Sequence, residues 1–371
     1  MDGLSQKLRL LLSLVDRKWV FNSPFYVDLD ITERCNLTCP GCPYHSTQDE
    51  ETKAGNVNAI DMDFDKIVRI FEQLLTTRTR NIIILGSGEP LLHTRFTDII
   101  KTGKELGFNF TVLTNGTMIN EEKANSIVDS GLDRLSVSLW DVTREGYEKT
   151  HGGTNPLLFD RLIAGLQTIH AVKIKKNKRK PSIVIHFPVS KNNFDMLDKV
   201  VELAIENHVN ELSFAPVFDN VSSTGLQLDE SGISHLAEKL REIAPRLKKA
   251  GIKYNLGNML LRLTYGKSAW KTMPCYVGLF HSKIKTNGNI HSCCRCDVTL
   301  GNIHEESFSE IWNSKKYQSL RKSISTKDGL KKFSEGCICD YCSFTHNNYK
   351  IYRYDRFLLP VTKALNFFRA I

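Results

Sequence analysis

Three cysteines, Cys35, Cys39 and Cys42, are packed into eight residues directly behind Phe25–Thr32, a stretch in which apolar and polar residues alternate. The other seven of the ten cysteines lie between Cys275 and Cys342, and none falls between Cys42 and Cys275. In a chain of 371 residues this clustering excludes a disulfide scaffold, which spreads its bridges through a small fold that lacks a core. The N-terminus shows no short apolar core followed by a small-residue cleavage site, and no run of about 18 apolar residues occurs. Neither a secretory signal nor a membrane-spanning helix is therefore expected. The reading is a cytoplasmic protein with reduced thiols gathered for metal. An apolar share of 41% and 23 glycines place it among globular chains, with room for one large domain or two smaller ones.

Six segments read as strands: Phe25–Thr32, Asn81–Gly86, Asn109–Asn115, Asp133–Asp141, Ser182–Val189 and Glu211–Val217. Amphipathic runs separate them, among them Phe64–Thr76, Glu121–Ser130, Leu158–Val172 and Asp195–Asn207. Strand and helix in alternation predict the parallel β/α units of an α/β fold. Periodicity alone leaves a partial barrel and an open sheet equally open. In the first strand Tyr26, Asp28, Asp30 and Thr32 alternate with Phe25, Val27, Leu29 and Ile31. In the fourth, Arg134, Ser136, Ser138 and Trp140 alternate with Leu135, Val137 and Leu139. One face of each strand thus packs under helices and the other is polar. A closed barrel fills its inside with bulky aliphatics. Polar inward faces instead predict a lumen that takes ligand and water, with a solvent-facing edge strand as the alternative. Beyond residue 220 a helix over Leu236–Ala250, closed by Gly251, precedes a loop- and cysteine-rich stretch from about 270 to 345. That stretch is expected to be a second, small domain whose core is too thin to stand without a metal centre.

Three thiolates are one short of the four that usually close a structural metal site. Spacing alone suits an iron–sulfur cluster with one iron open to a small molecule, or a zinc site completed by His45. In its CxxxCxxC pattern after the first strand of a β/α repeat, the sequence resembles the radical S-adenosylmethionine (SAM) superfamily. The resemblance extends to Gly86-Ser87-Gly88-Glu89-Pro90, similar to the family's glycine–glutamate element, where a backbone edge and a carboxylate hold the methionine amino group of SAM. Thr114-Asn115-Gly116-Thr117 looks like the segment near the ribose, and Ser136 and Ser138 stand where the fourth strand often contacts the cofactor. All are placed at strand C-termini, the face on which such barrels build their sites. One departure is Gly41, since the family usually carries an aromatic residue before the third cysteine. Tyr44 or the backbone is expected to substitute in contacting the adenine. His151 and Arg144 are candidates to reach the SAM carboxylate.

Downstream, Cys275, Gly288, Cys293 and the run Cys337-Ile338-Cys339-Asp340-Tyr341-Cys342 resemble the SPASM and twitch auxiliary-cluster domains, as do the connecting Leu300-Gly301-Asn302-Ile303 and Glu310-Ile311-Trp312. The organisation implied is an N-terminal amphipathic helix (1–20), a partial (β/α)6 TIM-type barrel (21–220), a helical connection (221–270), a small cysteine-rich SPASM/twitch domain (271–345) and a basic amphipathic tail (346–371). The resemblance implies a SAM-binding 4Fe–4S cluster on Cys35, Cys39 and Cys42, and an auxiliary 4Fe–4S cluster on Cys275, Cys293, Cys339 and Cys342. Cys294, Cys296 and Cys337 are left without a role. Zinc stays open as the alternative for this domain, because CxxC pairs are also zinc-ribbon tokens.

The implied reaction starts from one electron, supplied by an external donor such as flavodoxin or ferredoxin. It splits SAM into methionine and a 5′-deoxyadenosyl radical, which takes a hydrogen atom from the substrate. An auxiliary cluster with four cysteines accepts the electron left behind. Net oxidation of a sugar-, cyclitol- or polyol-type small molecule is the expected outcome, and the single auxiliary cluster looks closest to the aminocyclitol dehydrogenase type. Cys35 comes too early for a leader-binding domain ahead of the barrel, so a peptide-modifying maturase is the second reading. A non-catalytic zinc-stabilised binding protein is the third. Asp28, Asp30, Tyr26 and His186 are the lumen candidates for substrate contact. No nucleic-acid partner is expected. The excess of 50 Lys and Arg over 41 Asp and Glu sits on residues 173–180 and on the two ends, which is poor evidence for an acidic substrate and slightly better evidence for an anionic surface or partner. Leu4, Leu8, Leu11, Val15 and Trp19 form an apolar helical stripe near basic residues, as do Val361, Ala364, Leu365, Phe368 and Ile371. Both stripes fit peripheral contact with a membrane surface.

Overall fold

Helical and extended segments alternate as the hydrophobic periods predict, in a computed structural model that describes residues 3–15, 20, 22–45, 59–152, 157–217, 225–265, 272–326, 329, 339 and 342–368. In chain order they are α1 (Gly3–Val15), β1 (Tyr26–Leu29), α2 (Phe64–Thr76), β2 (Asn81–Ile84), α3 (Phe96–Glu105), β3 (Asn109–Thr114), α4 (Glu121–Asp129), β4 (Arg134–Ser138), α5 (Arg144–His151), α6 (Leu158–Lys175), β5 (Ser182–Val189) and α7 (Leu197–Glu206). There follow β6 (Glu211–Pro216), α8 (Glu230–Lys249), β7 (Lys253–Tyr254), α9 (Leu256–Tyr265), α10 (Val277–Phe280), β8 (His281–Ile284), β9 (Asn289–His291), β10 (Gly301–Asn302), α11 (Phe308–Asn313), α12 (Lys315–Ile324) and α13 (Thr345–Phe368). The chain divides into two compact units, one of residues 30–68 and 82–263, the other of residues 1–29, 69–81 and 264–371.

In the first unit β2 to β7 lie side by side in chain order. From β3 onward the pairings are parallel, with Val112 beside Leu135, Leu135 beside Ile183 and Ile185 beside Leu212. Doubly wound sheets reverse their strand order at a switch point; an order that never doubles back is the winding of a barrel. Val112, Leu135, Val137, Ile183, Ile185, Leu212 and Phe214 are buried, as are Leu162, Leu166 and Ile169 of α6 and Val200, Val201 and Ala204 of α7. Each large side chain so covered stabilises the unit by roughly 1.5–3 kcal/mol. The other strand face is mixed, with Leu113 and Val184 beside Ser136 and a polar row nearer the strand ends. Ser138, His186 and Ser213 are lateral neighbours across β4, β5 and β6, and each keeps accessible surface between buried sequence neighbours. At the N-terminal ends of these strands Arg134 donates to both Glu211 oxygens, at 2.8 and 3.1 Å.

Two strands, β1 and β4, fall four residues short of the predicted segments, whereas β2 falls two short and β3 and β6 one each. β1 stops at Leu29 and β4 at Ser138, and the polar side chains beyond them are engaged elsewhere. Ser87 Oγ donates to Asp30 Oδ2 at 3.1 Å, Thr32 Oγ1 donates to Asp61 Oδ1 at 2.6 Å, and Thr143 N donates to Asp141 Oδ1 at 2.8 Å.

In the second unit β1 runs parallel to β8, with Asp28 beside Lys283, and β8, β9 and β10 pair antiparallel. The expectation of a thin core needs correction here. Phe308, Ile311, Trp312, Tyr317, Leu320 and Ile324 are all buried. The Arg321 guanidinium lies 4.4 Å from the Trp312 ring and 4.6 Å from that of Tyr317, and donates to the carbonyls of Gly278 and Trp312. In α1, Leu10 and Leu14 are buried whereas Leu8 and Leu12 are exposed, so the docked side is not the predicted stripe. Trp19, Ile371 and Cys337 lie outside the described residues. Among those described, no helix is long and apolar enough to cross a membrane.

Candidate functional site

The loop behind β1 turns back on itself between its second and third cysteines, where Cys42 N donates to Cys39 O at 2.9 Å. Cys35, Cys39 and Cys42 are free and half-buried. Neighbouring elements hold the loop from several sides. Asn36 Nδ2 donates to Thr117 Oγ1 at 3.0 Å and Asn36 Oδ1 accepts from Asn115 Nδ2 at 2.9 Å, so the third-strand motif grips the loop. Thr38 Oγ1 donates to Gly152 O at 2.7 Å and Cys39 Sγ to His151 O at 3.6 Å. Gly41 answers the family departure: a Cβ there would stand 2.9 Å from the indole of Trp140. An aromatic ring from beyond the end of β4 thus occupies the space beside position 41; alternation placed Trp140 on the polar face of that strand but did not give its neighbour.

Glu89 is anchored by three hydrogen bonds. It is buried; Oε1 accepts from Thr114 Oγ1 at 2.6 Å and from Leu91 N at 3.0 Å, and Oε2 accepts from Asn115 N at 2.7 Å. Burial pushes its carboxyl up, against the pull of those three donors. Of about four lone-pair positions on a carboxylate, three are filled and one on Oε2 is left. The sequence motifs around Glu89 and Thr114-Asn115 are therefore brought into one hydrogen-bonded set. Gly86, with φ of +131°, lets the chain pass under the Asp30 carboxylate, which a Cβ would overlap. Asp30 is thereby fixed over Gly86-Ser87.

The remaining sequence candidates take different places. Ser136 is buried, and Ser138 stands in the polar row with His186 and Ser213. Burial first, and the Arg262 charge second, push the His186 imidazole down to about 4. Asn255 ties α9 to β6, accepting from Phe214 N at 2.7 Å and donating to Phe214 O at 2.9 Å. Arg144 makes an exposed ion pair with Asp160 at 2.9 Å. His45 Nε2 bonds the Ser87 carbonyl. Asp28 belongs to the second unit: its Oδ1 lies 3.1 Å from His281 Nε2, while His281 Nδ1 bonds Ser292 O at 3.0 Å. Tyr26 is exposed at 40%.

The second unit gathers further cysteines at Cys275, Cys293, Cys294, Cys339 and Cys342. Burial pushes Cys275 up, with Cys342 and Cys339 adding to it; Cys293 is pushed up by burial and then by Cys294, Cys275 and Cys342. Cys294 rises to about 12, from burial and then from the Asp28 charge. Asn348, which no motif announced, donates to Cys275 Sγ at 3.9 Å and accepts from Tyr276 N at 2.9 Å. Cys296 is buried and disulfide-bonded.

Thiols that raise one another, beside a buried carboxylate, make a poor resting place for bare thiolates and a good one for a cationic metal centre. In the loop, Cys35 is pushed up to about 12 by burial, with Glu89 and Cys42 adding to it, and Cys39 rises further for burial and the same neighbours. Among the described residues no three His, Cys, Asp or Glu side chains are grouped to hold a metal ion. Comparison with known proteins decides the kind of centre. The radical SAM superfamily model matches residues 29–204, and that of the SPASM iron–sulfur cluster-binding domain matches residues 275–343. The chain belongs to the radical SAM superfamily.

As a radical SAM enzyme with a SPASM domain it has iron–sulfur clusters and SAM as cofactors. It is similar to the AdoMet-dependent heme synthase of Methanosarcina barkeri, 26% identical over 85% of this chain and 90% of that protein. The tungsten-containing aldehyde ferredoxin oxidoreductase cofactor-modifying protein of Pyrococcus furiosus is 24% identical over 86% and 89% of the two chains. In fold it is similar to Streptococcus suis SuiB bound to S-adenosylmethionine, with a TM-score of 0.63, 17% identity, and 92% of this chain and 78% of that one covered. These TIM-like neighbours agree with the barrel winding of the first unit.

Proposed function

We propose that Cys35, Cys39 and Cys42 hold the SAM-binding 4Fe–4S cluster, that Cys275, Cys293, Cys339 and Cys342 hold an auxiliary one, and that the enzyme oxidises a sugar-, cyclitol- or polyol-type small molecule. Bound cluster and SAM supply the one-electron chemistry that removes a hydrogen atom from an unactivated carbon. The chain's own residues do the rest. Glu89 offers its last free lone pair to the SAM amino group, and Thr114 and Asn115 keep that carboxylate from turning away. Gly86-Ser87 supply the backbone edge, and Trp140 fills the space over Gly41.

The observation that carries the substrate class is the row Ser138, His186 and Ser213, a set of hydroxyls and a neutral imidazole suited to binding hydroxyl groups. Turning an alcohol into a ketone removes a hydrogen atom, a proton and an electron. The neutral imidazole of His186 accepts a hydrogen bond from the reacting hydroxyl, whose proton passes on to solvent, while the auxiliary cysteines hold the acceptor for the electron. An external one-electron donor such as flavodoxin or ferredoxin primes the cycle.

The test is anaerobic purification followed by turnover with dithionite, SAM and C-deuterated polyols. About eight irons per chain, four for each cluster, and deuterium appearing in 5′-deoxyadenosine from a polyol are expected. Turnover of peptides and of no polyol would favour the maturase reading. A colourless, zinc-containing protein that never forms 5′-deoxyadenosine would overturn the proposal.

A further inference from the structure

The inner face of α5 carries two polar atoms that the site described above does not use. Tyr147 and His151 stand one helical turn apart, both fully buried, with rings stacked at a centroid distance of 3.7 Å and an interplanar angle of 14°. The phenol oxygen of Tyr147 and Nε2 of His151 are buried without a hydrogen-bond partner among the described residues. A buried hydroxyl left unpaired costs stability, so its position calls for an acceptor.

The cysteine loop packs against the same helix. The C-terminal end of α5 docks on the cysteine loop, through Thr38 Oγ1 on Gly152 O and Cys39 Sγ on His151 O. Cys39 cannot keep its bond to the His151 carbonyl once it ligates metal, because the ligand is a thiolate with no proton to give. The same change makes its sulfur an acceptor. We propose that the Tyr147 hydroxyl donates to the Cys39 sulfur as an outer hydrogen bond to the cluster, an inference that rests on ligation by the three-cysteine loop. His151 is the positioning residue. Its Nδ1 lies 3.0 Å from both the Tyr147 carbonyl and the Thr150 hydroxyl; the carbonyl only accepts and Thr150 Oγ1 donates to Gly146 O, so Nδ1 carries the proton and the imidazole is held flat against the phenol ring.

A hydrogen bond to a ligating thiolate draws charge from it and favours the reduced, more negative cluster. Tyr147 therefore eases the one-electron reduction with which turnover begins.

The test compares holoenzyme with Tyr147→Phe, which keeps the ring and its stack. In EPR-monitored redox titrations without SAM, the variant's barrel cluster is expected at a more negative potential, with the auxiliary signal unmoved as internal reference. Pulsed EPR after exchange into D2O should lose one coupled deuteron in the variant. If Tyr147→Phe fails to load its cluster, 3-fluorotyrosine at position 147, a stronger donor, should shift the potential the other way. Unchanged potential and couplings in the variant that loads would overturn the inference. Iron content unaffected by Cys39→Ala would overturn instead the ligand assignment beneath it.

Discussion

Glu89 shows what a single side chain contributes at this site. Its carboxylate is buried, held by Thr114 Oγ1, Leu91 N and Asn115 N, and left with one lone pair. Glu89→Gln keeps the shape and removes the charge. A charge-assisted hydrogen bond is worth about 1.5–3 kcal/mol, so SAM affinity should fall roughly tenfold to a hundredfold with iron content unchanged; equilibrium dialysis on cluster-loaded protein reads this. Unaltered affinity would assign Glu89 to capping the turn at Pro90–Leu92 and nothing more. The motif around Glu89 was legible through its likeness to a family element standing in order behind successive strands, since Gly-Ser-Gly by itself is a common turn. Trp140 was not, since its partner is an absence of side chain at Gly41, about 100 positions away in the chain. Asp28 and Asp30 were read together from strand alternation, yet one lies against His281 and the other over Gly86-Ser87. Alternation gives the face of a strand and not the neighbour each side chain meets.

At the scale of elements, α5 is the piece whose ends decide its role. Thr143 caps its start by accepting from Gly146 N, and Gly152 closes it with φ of +61°. A Cβ on Gly152 would overlap the Thr38 carbonyl, so helix end and cysteine loop fit only with glycine there. Gly152→Ala should cost about 1–3 kcal/mol through backbone strain and lower iron loading on the first cluster, read by iron analysis and thermal denaturation. Full loading at an unchanged melting temperature would show that α5 does not support the loop. The helix itself was foreseeable from its caps; its docking on residues 38 and 39 was not. The basic run 173–180 also changes meaning at this scale. Lys176 pairs with Asp129 at 2.6 Å, and Lys180 joins Lys104 on Asp133, so part of that charge is spent inside the unit.

For the whole molecule, two compact units each gather their own thiols, and they should separate experimentally. Cys275→Ala is expected to halve the iron, from about eight to about four per chain, while uncoupled SAM cleavage survives. Loss of all iron would refute independent centres. Stability should also depend on pH through buried histidines. Burial, joined at His186 by the Arg262 charge, pushes His186 to about 4, and burial pushes His151 to about 4. Both lie below the unfolded value of about 6.5, so the unfolded chain binds more protons between those limits. Their contribution is complete above about pH 6.5 and is lost as pH falls toward 4. Urea unfolding should show that slope, and His151→Gln should flatten it; an identical slope in the variant would exclude His151 as a source.

The sequence by itself determined the β/α order, the two cysteine groups and the strand-end motifs, because period, spacing and glycine placement are local properties written along the chain. Only the tertiary structure decided which side chains meet. It placed Trp140 on Gly41, drew Glu89, Thr114 and Asn115 into one hydrogen-bonded set, and stacked Tyr147 on His151 in the helix whose end docks on the cysteine loop. Contacts between residues far apart in the chain are chosen by packing and by the need to satisfy buried polar groups, and neither leaves a period to read.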